Sequence, residues 1–142
     1  MEYFNKIHIA TSNEDVYIKE GSQIVISNCD YHIENKCLYI EACLDDVNVV
    51  IPVQKYEDIK VKTATGNCYI DFKEASISHM SFMSSTGDLY LDSYYDLVSF
   101  NSPCGEFHDE KRNKPHKTMI TKTQNTYTKQ NESSWRNGER YQ

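Results

Sequence analysis

Three carboxylates stand at corresponding places of a phrase that the chain repeats, and they are the first candidates for chemistry. Asp15, Asp88 and Glu106 each fall at a polar corner between two short apolar runs, so they can line one edge of the molecule. Acid–base catalysis needs a carboxyl group whose pKa is raised by burial, whereas residues at turn tips are usually exposed. The calcium-binding signature GGxGxDxUx does not occur. The sequence therefore predicts no catalytic residue and a protein that is not an enzyme.

The histidines do not form a metal-binding pattern. None stands at a diagnostic spacing from a cysteine, an aspartate or a glutamate. His8 and His79 each precede a core position of a strand and can stack on neighbouring strands, although solvent-facing side chains are the favoured interpretation. The motifs GxGxxG, GxSxG and HExxH do not occur either. We predict no metal and no cofactor. The five histidines are His8, His32, His79, His108 and His116.

The cysteines and the apolar runs indicate the cellular compartment of the protein. Five cysteines make an odd number, and none lies in a CxxC pair. The first residues lack a basic segment followed by an apolar one, and no apolar run approaches the roughly 20 residues that cross a membrane. These features predict reduced thiols in a cytoplasmic protein with no membrane span, and they leave surface association open. The cysteines are Cys29, Cys37, Cys43, Cys68 and Cys104.

The repeated phrase predicts the strands that position the candidate residues. Each copy reads as an alternating strand, a polar corner and a second alternating strand, with corners about 20 residues apart. Stacked copies bury one another's apolar faces, so the sequence predicts an all-β domain over 1–108: a β-solenoid stack of short strands, or a regular strand meander. The copies are IHIATSNEDVYI (7–18), IKVKTATGNCYI (59–70), MSFMSSTGDLYL (80–91) and a worn VSFNSPCGEFHD (98–109).

The corners carry a glycine followed by an aspartate or an asparagine. Asp and Asn suit corners because they hydrogen-bond their own backbone in tight turns, and glycine permits positive φ. The first copy has Glu14 in place of the glycine, which predicts a looser corner or another turn type. The predicted corner residues are Asp15, Gly66, Asn67, Gly87, Asp88 and Gly105.

Alignment of the copies on their corners gives two apolar columns and one tyrosine column. Period-two alternation places the apolar columns in the core and the tyrosines on the outside, side by side as a ladder. Because tyrosine is favoured at interfaces, Tyr17, Tyr69 and Tyr90 are the preferred contact face, with a merely solvated sheet face held equally open. The apolar columns are Ile9, Val61, Phe82 and Phe100, and Val16, Cys68, Leu89 and Phe107.

The last 34 residues differ in composition from the body. Residues 1–108 hold 17 acidic and 7 basic side chains, a formal charge of −10, whereas residues 109–142 hold 4 and 8, a charge of +4. We predict a basic polar tail in which TMITKTQNTYTK adds one terminal strand before a flexible end. Basic residues beside aromatics can bind single-stranded nucleic acid or another anionic partner, and the alternatives are a solvated tail or one folded onto the body. The residues concerned are Lys111, Arg112, Lys114, Lys117, Lys122 and Trp135.

The repeat also resembles a bacterial family. The phrases ATSNEDVYI, VVIPVQKYEDIKVKTATGNCYI and MSSTGDLYL are similar to the adhesin-like domain, a domain of unknown function with β-solenoid or β-helix rungs. The shared features are a strand ended by a proline, Ile51-Pro52, and Gly-Asp/Asn corners. The resemblance covers roughly residues 5–108 and implies no catalytic residue. Some relatives are linked to cell-envelope stress or surface processes.

The function predicted from these observations is a non-catalytic structural or protein-interaction module that binds a protein partner or itself. Binding of nucleic acid or an anionic partner through the tail is the first alternative. A carbohydrate-active β-helix enzyme is the least favoured, because fold analogy alone supports it.

Overall fold

The computed structural model describes residues 3–41 and 43–110, and the backbone of residues 118–123 and 126–131. These residues form one twelve-stranded mixed sheet and contain no helix. The all-β prediction is confirmed. The strands are β1 (Lys6–Ala10), β2 (Val16–Glu20), β3 (Val25–Ser27), β4 (Asp30–Glu34), β5 (Cys37–Glu41), β6 (Val47–Ile51), β7 (Lys55–Lys62), β8 (Cys68–Met83), β9 (Leu89–Asn101), β10 (Phe107–Asp109), β11 (Thr118–Thr123) and β12 (Thr126–Asn131).

Parallel pairing divides most of the sheet into two halves. The first half-sheet runs β5, β1, β7, then residues 76–83 of β8 and 94–101 of β9. The second half-sheet runs β6, β2, then residues 68–71 of β8 and 89–92 of β9, and ends at β10. Because β8 and β9 belong to both halves, the strands wrap around one core as a nearly closed, barrel-like sheet.

The two apolar columns are confirmed by the strand register. Val61 pairs with Ile9 on one side and with Phe82 on the other, and Phe82 pairs with Phe100. In the second half-sheet, Cys68 pairs with Val16 and with Leu89. These side chains are at most 2% exposed, so the two columns face each other across the core. Only Phe107, at the end of its column, is half-buried.

Two strands are longer than the short strands that the repeat predicts. β8 has 16 residues and β9 has 13, because each passes from one half-sheet to the other without a break in strand structure. The register of β8 against β9 shifts between Asp71 and Ser76, where β8 bends. The carboxylate of Glu20 holds this bend, since it accepts hydrogen bonds from the backbone N–H groups of Glu74 and Ala75, at 3.1 and 2.9 Å.

We expect Glu20→Gln to lower the free energy of unfolding by about 1 kcal/mol at neutral pH, since the bend loses a charged acceptor. Burial raises the pKa of Glu20, but the hydrogen bonds from Ala75 and Glu74 outweigh it and hold the pKa below its ordinary value of 4.5. The ionised carboxylate therefore stabilises the fold above about pH 4.5, and that contribution is lost as the pH falls through the lowered pKa.

Urea unfolding of Glu20→Gln at a series of pH values measures this contribution. The difference from the wild type should shrink on acidification. The exposed Glu41→Gln is the matched control, and at neutral pH it should lower the free energy of unfolding less than Glu20→Gln does. A constant gap between Glu20→Gln and the wild type from pH 7 to about pH 3 would contradict the assignment.

Antiparallel strands cover the ends of the parallel arrangement. β4 lies on β5, and β3 lies on β6. β12 lies on the first half-sheet beside β9, and β11 pairs with β12. The segment TMITKTQNTYTK, predicted to add one terminal strand, contains β11 and most of β12, which pair antiparallel.

A disulfide joins Cys29, at the turn between β3 and β4, to Cys43, in the loop before β6, with a Cα–Cα distance of 4.1 Å. The expectation of reduced thiols is wrong for this pair. Three free cysteines remain, of which Cys37 and Cys68 are buried and Cys104 is exposed. Burial raises the pKa of the Cys37 and Cys68 thiols, so both are poor nucleophiles at neutral pH.

Candidate functional site

The tyrosine column forms a stack of parallel rings on the outer face of the second half-sheet. β2, β8 and β9 bring Tyr17, Tyr69 and Tyr90 to paired positions, and β10 adds His108. The ring centroids of Tyr17 and Tyr69 lie 4.8 Å apart, as do those of Tyr69 and Tyr90. His108 stacks on Tyr90 at 4.4 Å. The planes are within 6° of parallel, so we call these four residues the tyrosine ladder.

Stacking decides which atoms the ladder presents to solvent. The ring faces cover one another, so ring edges and hydroxyl groups form the surface, and Tyr17 at one end is the most open at 37% exposed. The Tyr90 hydroxyl donates to Asp88 Oδ2 at 3.3 Å. Partial burial and the charge of Asp88 raise the pKa of Tyr90, so its hydroxyl remains a hydrogen-bond donor at neutral pH.

The corner carboxylates and amide hold the ladder at its spacing. Asp15 Oδ1 accepts from the backbone N–H of Asn67, Asn67 Oδ1 accepts from Asp88 N–H, and Asp88 Oδ1 accepts from Glu106 N–H, each at 2.8 Å. The expectation that these residues bond their own backbone is therefore wrong, since each bonds the next corner of the stack. These corner side chains therefore have a structural role, because their hydrogen bonds join one corner to the next.

The corner glycines are required by close backbone approach. No glycine among the described residues has a positive φ, so the expected positive φ is wrong. A Cβ on Gly87 would overlap the carbonyl oxygen of Gly66, and one on Gly105 would overlap that of Gly87. At the first corner Glu14 replaces glycine, and its carboxylate closes the turn by accepting from Thr11 Oγ1 and from Ser12 N–H.

A second cluster lies on the outer face of the first half-sheet. Asp58 stands between two imidazoles: its Oδ2 lies 3.2 Å from His8 Nε2, and its Oδ1 lies 3.7 Å from His79 Nδ1. The other ring nitrogen of His79 is within hydrogen-bond distance, 3.0 Å, of Ser99 Oγ. His8 and His79 therefore do not stack on each other, because Asp58 separates them.

The order Ser99, His79, Asp58 is that of a nucleophilic triad, but the geometry differs from one. A triad aspartate hydrogen-bonds the imidazole and orients it, whereas 3.7 Å is too long for such a bond. Ser99 pairs with β8 on one side and with β12 on the other. Its backbone therefore belongs to the sheet and does not form an oxyanion hole. Among the described residues, no group of three His, Cys, Asp or Glu side chains has the arrangement of a metal site.

The aligned copies of the repeat already predict part of this cluster. Asp58 and His79 each precede a core-column residue, Val61 or Phe82, by three positions, and the register pairs them directly. His8 pairs with Lys60, so its contact with Asp58 is diagonal across two strands. The pairing of Asp58 with His79 was therefore available from the columns, whereas the diagonal contact depends on side-chain direction.

The tail predictions lie almost wholly outside the described part of the chain. Lys111, Arg112, Lys114, Lys117 and Trp135 are not among the described residues, and of Lys122 only the backbone in β11 is described. Binding of nucleic acid or an anionic partner through these residues stays a prediction.

No known protein family model matches this chain, and a search of curated proteins found no significant similarity. The described residues include no helix of the length and apolar character that a membrane span requires.

Proposed function

We propose that this protein is a non-catalytic protein-interaction module built as a β-solenoid of the adhesin-like type, and that the tyrosine ladder is its contact face. The partner is another protein or a second copy of the chain, in a setting such as cell-envelope stress or another surface process. The resemblance of the repeat to the adhesin-like domain supports the choice of family and setting.

The path of the chain supports the solenoid interpretation. From β7 onward the chain alternates between the two half-sheets, and each return adds one parallel strand beside the previous one. The predicted columns stay in register through these turns. Proline ends β6 after Ile51, as in the adhesin-like pattern. The antiparallel strands β3, β4 and β12 then act as end caps, because they cover edges that would otherwise be open to another chain.

The observation that carries the proposal is the rigid row of tyrosine edges. Interfaces favour tyrosine because it combines apolar contact area with a hydroxyl group. A partner usually has to immobilise such side chains, which costs about 0.5–1.5 kcal/mol for each. In the ladder the rings are already held by stacking at 4.8 Å, so most of that cost is met before a partner binds.

We expect simultaneous substitution of Tyr17, Tyr69 and Tyr90 by serine to weaken partner binding or self-association by at least tenfold, because ring edges and hydroxyls are both lost. The triple phenylalanine variant keeps the stack and removes only the hydroxyl groups. A loss in both variants assigns recognition to the hydroxyls, and a loss in the serine variant alone assigns it to the rings.

Pull-down from native lysate and multi-angle light scattering measure the two kinds of association. Tyr31→Ser is the matched control, because Tyr31 is 45% exposed and lies in β4, outside the ladder. Circular dichroism should show that each variant keeps its strand content. Association that is the same in the wild type and in both triple variants would overturn the proposal.

A further inference from the structure

A groove of about 280 Å³ crosses the outer face of the first half-sheet, opposite the tyrosine ladder. Two rows of side chains from β7, β8 and β9 line it, and the register pairs each row across the three strands. The first row is Lys60, Ser81 and Ser99, and the second row is Lys62, Met83 and Asn101.

The charge of this groove is opposite to that of the body. Residues 1–108 carry a formal charge of −10, yet the described residues that line the groove include two lysines and no acidic residue. Lys60 and Lys62 are both exposed and stand two positions apart on β7, so their side chains leave the same face of the strand. The groove is thus a local cationic site on an acidic surface.

These two lysines have no carboxylate partner among the described residues. Three other lysines do form ion pairs: Lys6 with Glu57, Lys55 with Asp96, and Lys73 with Asp71. The acid nearest in sequence, Asp58, is placed between His8 and His79 instead. No carboxylate of the described residues therefore competes with an anion from solution for the ammonium groups of Lys60 and Lys62.

The remaining groups define what kind of anion fits. The Ser81 hydroxyl and the Asn101 amide can donate hydrogen bonds, and both residues are half-exposed along the groove. Met83 is 48% exposed and adds an apolar, adaptable surface beside them. Donors and cations suit an oxyanion head, and the methionine suits a short apolar body.

We propose that this groove binds a small organic anion, with Lys60 and Lys62 on a carboxylate or phosphate head and Met83 against its apolar part. Ser81 and Asn101 orient the head group through hydrogen bonds, whereas the Ser99 hydroxyl is within hydrogen-bond distance of His79. The site is independent of the tyrosine ladder, because it lies on the other half-sheet and shares no residue with it.

The test is a titration of the ¹⁵N-labelled full chain at constant ionic strength and pH 7.5, followed by amide NMR. The probes are benzoate, phenyl phosphate and the neutral benzamide. Saturating shifts at the amides of Ser81, Ser99 and Asn101 with either anion support the site, and the anion that binds more tightly identifies the head group. Binding should weaken as salt is added.

Charge variants supply the decisive comparison. We expect Lys60→Gln with Lys62→Gln to weaken anion binding by about tenfold, since two ion pairs are removed. Lys19→Gln with Lys36→Gln removes the same net charge from exposed positions outside the groove, and it should leave the affinity unchanged. The proposal is overturned by equal loss in both double variants, by equal binding of benzamide, or by shifts that do not saturate.

Discussion

Alanine in place of Gly87 should lower the free energy of unfolding by about 3 kcal/mol, although it adds a single methyl group. The added Cβ would overlap the carbonyl oxygen of Gly66 and lie 2.9 Å from both its carbonyl carbon and Ser84 Oγ. The obstruction is backbone, which cannot move aside by a change of rotamer. Relief requires the two corners to separate, and that separation breaks the hydrogen bonds that join them.

The hydrogen bonds that Gly87→Ala would break are made by Ser84 and Asp88, at the same corner. Ser84 Oγ donates to the carbonyl oxygen of Ala64 at 3.1 Å and accepts from Gly87 N–H at 2.9 Å. One residue later, Asp88 N–H donates to Asn67 Oδ1. The Ser84 side chain is only 7% exposed, so a lost partner leaves a buried polar group unsatisfied, at a cost of about 1–3 kcal/mol.

Gly21→Ala is the matched control for this prediction. A Cβ at Gly21 would lie 2.6 Å from Cγ1 of Val50, which is a side-chain atom. Rotation or a small shift of Val50 can relieve that contact, so we expect a change of less than about 1 kcal/mol. Equilibrium unfolding in guanidinium chloride measures both variants. Equal destabilisation of Gly87→Ala and Gly21→Ala would refute the close-approach explanation of the corner glycines.

Much of the core was predictable because it follows from local pattern alone. Alternation of apolar residues and the recurrence of the corner placed Val61 beside Phe82 and Cys68 beside Leu89, and the register pairs them so. Pro52 likewise marked the end of β6. These features need only a period of two and a repeat length, both of which can be read along the chain.

The features that were not predictable depend on contacts between distant parts of the chain. The first strand of the first copy is internal to the first half-sheet, because β1 pairs with β5 on one side and with β7 on the other. β5 and β6 carry no copy of the repeated phrase, so the repeat did not predict that β5 pairs with β1 and β6 with β2. The pairing of Cys29 with Cys43 is of the same kind, since spacing alone does not determine connectivity.

The candidate sites divide in the same way. The tyrosine ladder was predictable because its members occupy one column of the repeat. The groove lined by Lys60 and Lys62 was not predictable, since these lysines belong to one copy only. Ser99 and Asn101, which line the same groove, belong to the worn last copy. A cationic groove on an acidic body becomes visible only when the strands are placed side by side.

Loss of the Cys29–Cys43 disulfide should lower the free energy of unfolding by about 3 kcal/mol, which is the entropy cost expected for a loop of about 15 residues. The two cysteines are 14 positions apart. The disulfide encloses β4 and β5, and with β3 it lies at the capped end of the sheet, where β4 covers β5 and β3 covers β6. The unfolded chain without the disulfide gains conformational freedom, so most of the effect arises in the unfolded state.

Backbone contacts should keep the native cap in place without the disulfide. Leu44 N–H donates to the carbonyl oxygen of Asn28 at 2.8 Å, and Asn28 Nδ2 donates to that of Asp46 at 3.0 Å. Both bonds join the same two segments that the disulfide joins. We therefore expect Cys29→Ser with Cys43→Ser to keep the native fold, and to unfold at a lower denaturant concentration with a steeper dependence, because its unfolded state is more open.

Three samples distinguish the effect of losing the disulfide from the effect of the serine substitutions. They are the oxidised wild type, the wild type with a dithiol reductant, and the double serine variant. The last two should unfold at the same denaturant concentration, well below the first. Alkylation and mass spectrometry of the oxidised protein should count three free thiols. Cys104→Ser, which removes an exposed thiol, should leave stability unchanged. Coincident unfolding curves for the oxidised and the reduced wild type would show that this disulfide does not restrain the unfolded chain.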